Sequence, residues 1–164
     1  MTTHHALSLL SFSAVVFFAS ASEAAPTENM PASSCKARYG SISVRSDGEI
    51  ENPSASSWAV VVCPVRRPIG APSTSTSTSL AAKVFMVDRS SSFNGWCQAR
   101  SKNPAGSNRY SSAVYSSGSS STYQTLNLPT LTDTATWSHF FIECRLPPAD
   151  SGLRSRLQMV RSIQ

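Results

Sequence analysis

Apolar residues in this chain fall in short runs, and within those runs the period is two. The clearest is Trp137 to Leu146. Phe140, Ile142, Cys144 and Leu146 share one face, while Trp137, His139, Phe141 and Glu143 share the other. Successive side chains of a strand point to opposite faces, so this pattern predicts a half-buried strand. Pro147-Pro148 ends it, because proline cannot donate to a ladder. Leu80 to Asp88 repeats the alternation, with Val84 and Met86 against Phe85 and Val87, and Thr122 to Leu128 sets Leu126 and Leu128 on one face. Ile42 and Val44 suggest a short strand, as do Trp96 to Ala99 and Tyr110 to Tyr115. Trp58 to Cys63 is apolar throughout, which suits a strand buried on both faces or one crossing the core. In the tail, Leu153, Leu157 and Val160 fit a helix, whereas Leu157, Met159 and Ile163 alternate as a strand; the strand is the favoured reading.

Turn chemistry separates these runs. Ser46-Asp47-Gly48-Glu49 is a turn in which Gly48 tolerates positive φ. Asn94-Gly95 is a hairpin signal before Trp96. Lys102 to Asn108 reads as a loop, Ser116 to Ser121 as a turn, and Pro129 to Thr136 as a connection. Asp88-Arg89 reads as the end of a strand, its acid finding a surface partner. The count is seven or eight strands with no crossover helix. That pattern predicts an all-β fold, an antiparallel β-sandwich of jelly-roll-like or Ig-like type, with the strand order open. Abundant Ser and Thr, and 10 prolines in 164 residues, agree with it.

The first 24 residues are expected to be a signal peptide. Ala6 to Ala19 is an apolar stretch too short for a bilayer, which needs about 20 residues. Ala19-Ser20-Ala21 and Ser22-Glu23-Ala24 are small-residue cleavage signals, placing the cut after Ala21 or Ala24. Residues 25–34 read as a flexible, Pro- and polar-rich arm, and 35–164 as a single domain. The expected location is secreted or periplasmic, with no membrane anchor. Cys35, Cys63, Cys97 and Cys144 then read as two disulfides. Four cysteines permit three connectivities, of which Cys35–Cys63 and Cys97–Cys144 is favoured.

Candidate chemistry is sparse. No C-x-x-C pair supports a zinc or dithiol redox site, and no G-x-S-x-G elbow activates a serine. Behind the leader, His139 is the sole histidine. Glu143 shares its strand face but lies about 13 Å along the strand, too far for a pair. Asp47, Glu49 and Glu51 alternate across a turn without the ligand series of a calcium loop. No metal, cofactor or catalytic residue is expected. The net charge of +5 comes from scattered basic residues, with Arg66-Arg67 the only adjacent pair, so no nucleic-acid partner is expected. The aromatics Trp58, Trp96, Trp137, Tyr110, Tyr115 and Tyr123 lie on or beside strands. Core packing is the ordinary use of such rings, but exposed ones can stack on sugar faces. They are the candidate binding residues.

The order Cys35, Gly48-Glu-Ile50-Glu-Asn52 and Val62-Cys63-Pro64-Val65-Arg66 resembles a four-cysteine pattern of secreted bacterial proteins. Met86-Val-Asp88, Trp96-Cys97 and Ile142-Glu-Cys144-Arg-Leu146-Pro147 continue it. The resemblance implies an exported, disulfide-bearing β fold and assigns no catalytic residue. The functional expectation is a non-enzymatic structural or interaction module, its partner a glycan or another extracellular protein. The alternative is a carbohydrate-binding module using exposed Trp and Tyr, and a weaker one is a hydrolase or protease inhibitor.

Overall fold

The computed structural model describes residues 27–65, 78–135 and 137–163. The expected leader, Arg66-Arg67 and most of the Ser/Thr tract lie outside the described residues. The strands are β1 (Thr27–Pro31), β2 (Lys36–Tyr39), β3 (Ser43–Val44), β4 (Ile50–Glu51), β5 (Ala59–Pro64), β6 (Thr78–Val87), β7 (Trp96–Lys102), β8 (Asn108–Tyr110), β9 (Val114–Tyr115), β10 (Gln124–Asp133), β11 (His139–Leu146) and β12 (Arg156–Ile163). A 3-10 turn, Ala32–Ser34, separates β1 from β2. They form two antiparallel sheets. The first has the order β10-β6-β12-β4-β3, with β1 also pairing β12; the second has β2-β5-β11-β7-β8, with β9 also pairing β7. The protein is an all-β sandwich.

Alternation places the core. From the second sheet, Val61, Cys63, Ala99, Phe140, Ile142 and Leu146 point inward; from the first, Leu80, Val84, Met86, Leu126, Leu157 and Val160 meet them. Burial of each large aliphatic contributes about 1.5–3 kcal/mol. Both disulfides belong to the second sheet. Cys35–Cys63 ties the entry to β2 onto β5, and Cys97–Cys144 joins facing residues of β7 and β11. With sequence separations of 28 and 47, the chain-entropy model assigns each about 3–4 kcal/mol.

Two buried aspartates close opposite ends of the sandwich. Asp88, after β6, accepts hydrogen bonds from the Gly95 amide (2.8 Å), Ser90 amide (3.1 Å), Ser116 hydroxyl (2.5 Å) and Ser155 hydroxyl (2.9 Å). Asp133, at the end of β10, accepts from the Ser101 hydroxyl of β7 at 2.5 Å and the Ala135 amide at 2.9 Å, with Arg109 Nε at 3.7 Å. Each thereby spans the two sheets. Burial pushes the Asp133 carboxyl upward, but these hydrogen bonds and Arg109 outweigh it and hold it below its ordinary value.

Several expectations need correction. Residues 27–31 are not a flexible arm: they pair with β12 from Thr27↔Ile163 to Pro31↔Met159, burying Met30. Asn94-Gly95 does not turn a hairpin, since β6 and β7 belong to different sheets. Gly95 is needed for closeness instead: a Cβ there would lie 2.8 Å from Met86 Sδ. Pro129 does not end β10, which continues to Asp133 through a register shift between Leu128 and Leu131. Proline is tolerated at such irregularities on an outer strand, where no ladder donor is lost. Tyr110 to Tyr115 is two short strands, both on β7. The chain therefore forms more strands than the seven or eight expected. Asp88 is buried rather than paired at the surface. The tail is a strand, β12, and Gly48 has φ +84° as its turn requires.

Candidate functional site

The outward face of the second sheet is built by parity. Outward positions are Val60, Val62 and Pro64 on β5; Phe141, Glu143 and Arg145 on β11; and Trp96, Gln98, Arg100 and Lys102 on β7. Strand register then stacks them into rows. One row runs Tyr39, Val60, Arg145, Trp96, Tyr115 across five strands. Another runs Pro64, Phe141, Arg100, Tyr110, and a third His139, Lys102, Asn108. Tyr39, Tyr110 and Tyr115 are 70%, 66% and 61% exposed, so these rings face solvent at both flanks of the sheet.

Cations lie against two of the face's rings. The Arg145 guanidinium lies 4.2 Å from the Trp58 ring centroid, and Phe93 meets Trp58 edge-on at 5.3 Å. Arg100 approaches Tyr110 at 6.0 Å, and His139 stacks on Phe141 at 5.9 Å. The two arginine–ring contacts contribute about 0.5–2 kcal/mol each and hold long side chains in one orientation.

At the second and third rows lies an open cavity of about 600 Å³, lined by Arg38, Arg100, Lys102, Asn108, His139, Phe141 and neighbouring β5 residues. Beneath it is Glu143. Its side chain is 7% exposed, and its Oε2 accepts from Nη1 of both Arg38 and Arg100 at 2.7 Å. One buried carboxylate thus orients two guanidinium groups, an arrangement stabilised because a buried charge without partners would be costly. Arg38 stands where β2 shifts register, between Ala37 and Tyr39.

No family model matches this chain, and no curated protein matches it. Solved structures that it resembles include the C-terminal CBM6 of LamC, a marine laminarinase from Zobellia galactanivorans, at 12% identity and TM-score 0.48, covering 85% of this chain and 100% of that one. Another is the low-affinity xylan binding module CBM86 of Roseburia intestinalis, at 14% identity and TM-score 0.46, covering 85% and 96%. The isomalto-dextranase of Arthrobacter globiformis T6 gives 14% identity and TM-score 0.48, with 83% of this chain covered. This chain spans only 23% of that enzyme's length. At these identities no residue's role passes from those proteins to this one.

The six candidate aromatics separate into groups. Trp96, Tyr110 and Tyr115 share the outward face of the second sheet, and Trp58 packs onto Arg145 of that face. Trp137, 64% exposed, stands in the connection before β11 at φ +63° and is in none of these rows. Tyr123 is elsewhere: its hydroxyl donates to Glu49, beside β4 of the first sheet. Burial and the Glu49 carboxylate push the Tyr123 phenol up from its ordinary value.

His139 is exposed at the cavity rim, and Glu143 is engaged by arginines rather than by His139. The carboxylates Glu49 and Glu51 are held by arginines, Arg156 on Glu49 at 3.1 Å and Arg154 on Glu51 at 2.5 Å. Among the described residues, no three of His, Cys, Asp and Glu converge as a metal site.

Composition alone missed the basic cluster. Arg38 lies far along the chain from Arg100 and Lys102, and only sheet pairing brings it to them. Parity carried part of the signal, since Trp96, Arg100 and Lys102 alternate on the same side of one strand. Arg38 carried none, because its nearness to Arg100 depends on the order β2-β5-β11-β7.

Proposed function

We propose that this protein is a non-catalytic carbohydrate-binding module whose binding surface is the outward face of the second sheet. The observation that carries the reading is the row Tyr39, Val60, Arg145, Trp96, Tyr115, with Tyr110 and the cavity beside it. Rings fixed on a rigid sheet present apolar surface at low entropy cost, and polar groups beside them fix orientation. A sugar ring offers both an apolar face of C–H groups and a rim of hydroxyls. The wider expectation of an interaction module is kept, with a glycan as the partner. The setting is extracytoplasmic, since two disulfides suit an oxidising compartment.

Affinity electrophoresis in gels containing single polysaccharides tests this. Wild-type protein is expected to be retarded by at least one polysaccharide. Trp96→Ala and Tyr115→Ala should lose that retardation, while Tyr123→Phe, on the first sheet's side, should keep it. Unchanged mobility of the wild type with every polysaccharide would reject the reading.

A further inference from the structure

Resting on the glycan-binding reading, we propose that the polysaccharide is anionic, with an acidic sugar residue seated in the cavity between Arg38, Arg100 and Lys102. The first argument is charge. Three permanent cations line the cavity, and among the described residues Glu143 beneath is the carboxylate paired with Arg38 and Arg100, so these four groups sum to +3 and −1, or +2, around an open space of about 600 Å³. Such an excess of one sign in a concave site, with part of its wall apolar, raises the local concentration of opposite charge.

The second argument is preorganisation. Guanidinium groups left free on a surface lose side-chain entropy when they bind an anion. Here Glu143 Oε2 already fixes both arginines at 2.7 Å, one from β2 and one from β7. A guanidinium has five N–H donors in a rigid fork, so a single bond to Glu143 leaves others for a carboxylate or a sulfate ester. Arg38 is 60% exposed and Arg100 24%, which keeps both within reach of a ligand.

The third argument is shape. Phe141 and His139 are stacked at the same cavity, and Asn108 adds an amide. The rings supply a surface for the sugar face while the cations take its acid. A neutral sugar would use the rings and leave the charges idle. A sugar-free polyanion would use the charges and leave the rings idle.

Titration calorimetry at physiological ionic strength, with four probes, separates these cases. Polygalacturonate supplies carboxylates, dextran sulfate supplies sulfate esters, dextran is neutral, and polyglutamate is an anion without sugar. Wild-type protein should bind polygalacturonate or dextran sulfate about tenfold or more above dextran and polyglutamate, the scale of one or two charge-assisted hydrogen bonds; whichever is bound identifies the acid group. Lys102→Glu leaves the Glu143 pairs in place and should weaken that binding at least about tenfold. Lys83→Glu, on the first sheet, should match wild type. Equal binding of dextran and the acidic polymers, unaffected by Lys102→Glu, would overturn the anionic inference and leave the glycan reading standing. Polyglutamate binding as tightly as the polysaccharides would overturn it as bare charge attraction. If none of the four binds while a neutral glycan retards the protein in gels, this inference falls alone; if no glycan is bound by either method, both fall.

Discussion

The two outward faces of this sandwich follow the same alternation and differ in what occupies the outward positions. On the first sheet, Phe85 lies between Thr125 and Met159, and Lys83 between Asn127 and Arg161, whose Nε donates to Asn29 at 2.8 Å. Small, polar and aliphatic side chains dominate, and Phe85 is the aromatic residue of those rows. The second sheet carries exposed tyrosines, Trp96 with Trp58 packed onto Arg145, and, apart from these, a guanidinium pair at an open cavity. Packing requirements are the same for both faces, because each sheet needs only its inward side to be apolar. The difference is surplus to folding. That is why the second face, rather than the core or the disulfides, carries the functional reading.

The comparison can be broken most severely at the joint shared by both sheets. Asp88→Ala would strip four donors of their buried acceptor, two of them hydroxyls, and should destabilise the protein by about 3–5 kcal/mol. Urea unfolding measures it. A loss under about 1 kcal/mol would mean that the two sheets do not depend on this clasp. Cys97→Ala comes next, at about 2–5 kcal/mol, typical for a native disulfide in a small domain. Because the bridge lies within the second sheet, amide exchange should quicken on β7 and β11 before β6 and β12.

Glu143→Gln sharpens the contrast itself. It removes the acid that holds Arg38 and Arg100, so stability should fall by about 1–3 kcal/mol. Affinity for polygalacturonate or dextran sulfate should change while the rows of the first sheet keep their exchange rates. Unaltered stability would show that the two arginines are held by other contacts.

Acid titration gives a smaller and graded effect. Burial alone would raise the Glu51 carboxyl, but hydrogen bonds from Arg154 and Ser43 and the nearby Arg45 charge outweigh it, and the net direction is down. Asp133 is lowered too. A carboxylate whose folded value is depressed stabilises the fold above its unfolded value and loses that contribution as pH falls through the folded one. The melting temperature should therefore be flat above about pH 5 and decline below about pH 4. A protein most stable at pH 3 would contradict these pairings. At the small end, Lys83→Ala on the first sheet should leave both stability and binding within about 0.5 kcal/mol of wild type.

Much of this fold was legible as written. The alternation of Phe140, Ile142, Cys144 and Leu146 fixes an inward face without reference to anything else, because a strand has only two sides. The same rule placed Val84, Met86, Leu126 and Leu128 correctly, and Gly48 marked its turn because few residues accept positive φ. Cysteine pairing was favoured but not forced. Where reading failed, the missing information was the identity of the neighbouring strand. Asn94-Gly95 has hairpin chemistry, yet the chain crosses to the other sheet there. Pro129 interrupts a pattern but not a strand, since the outer position of β10 spares its missing donor. Asp88 looked like a turn residue because nothing local shows that the hydroxyls of Ser116 and Ser155 converge on it.

The candidate site shows the same division. Local sequence determines which side chains point outward on each strand, because parity is a property of the strand alone. It does not determine which outward side chains become neighbours, because that depends on strand order and register, set by long-range pairing. Tyr39, Trp96 and Tyr115 form a row only because β5 and β11 lie between β2 and β7, and β9 beside β7. Arg38 meets Arg100 over Glu143 only because β5 and β11 bring β2 and β7 into one sheet. The sequence alone determined an all-β chain with its inward faces; tertiary structure decided which charges and rings meet, since proximity across strands is recorded nowhere in a local pattern.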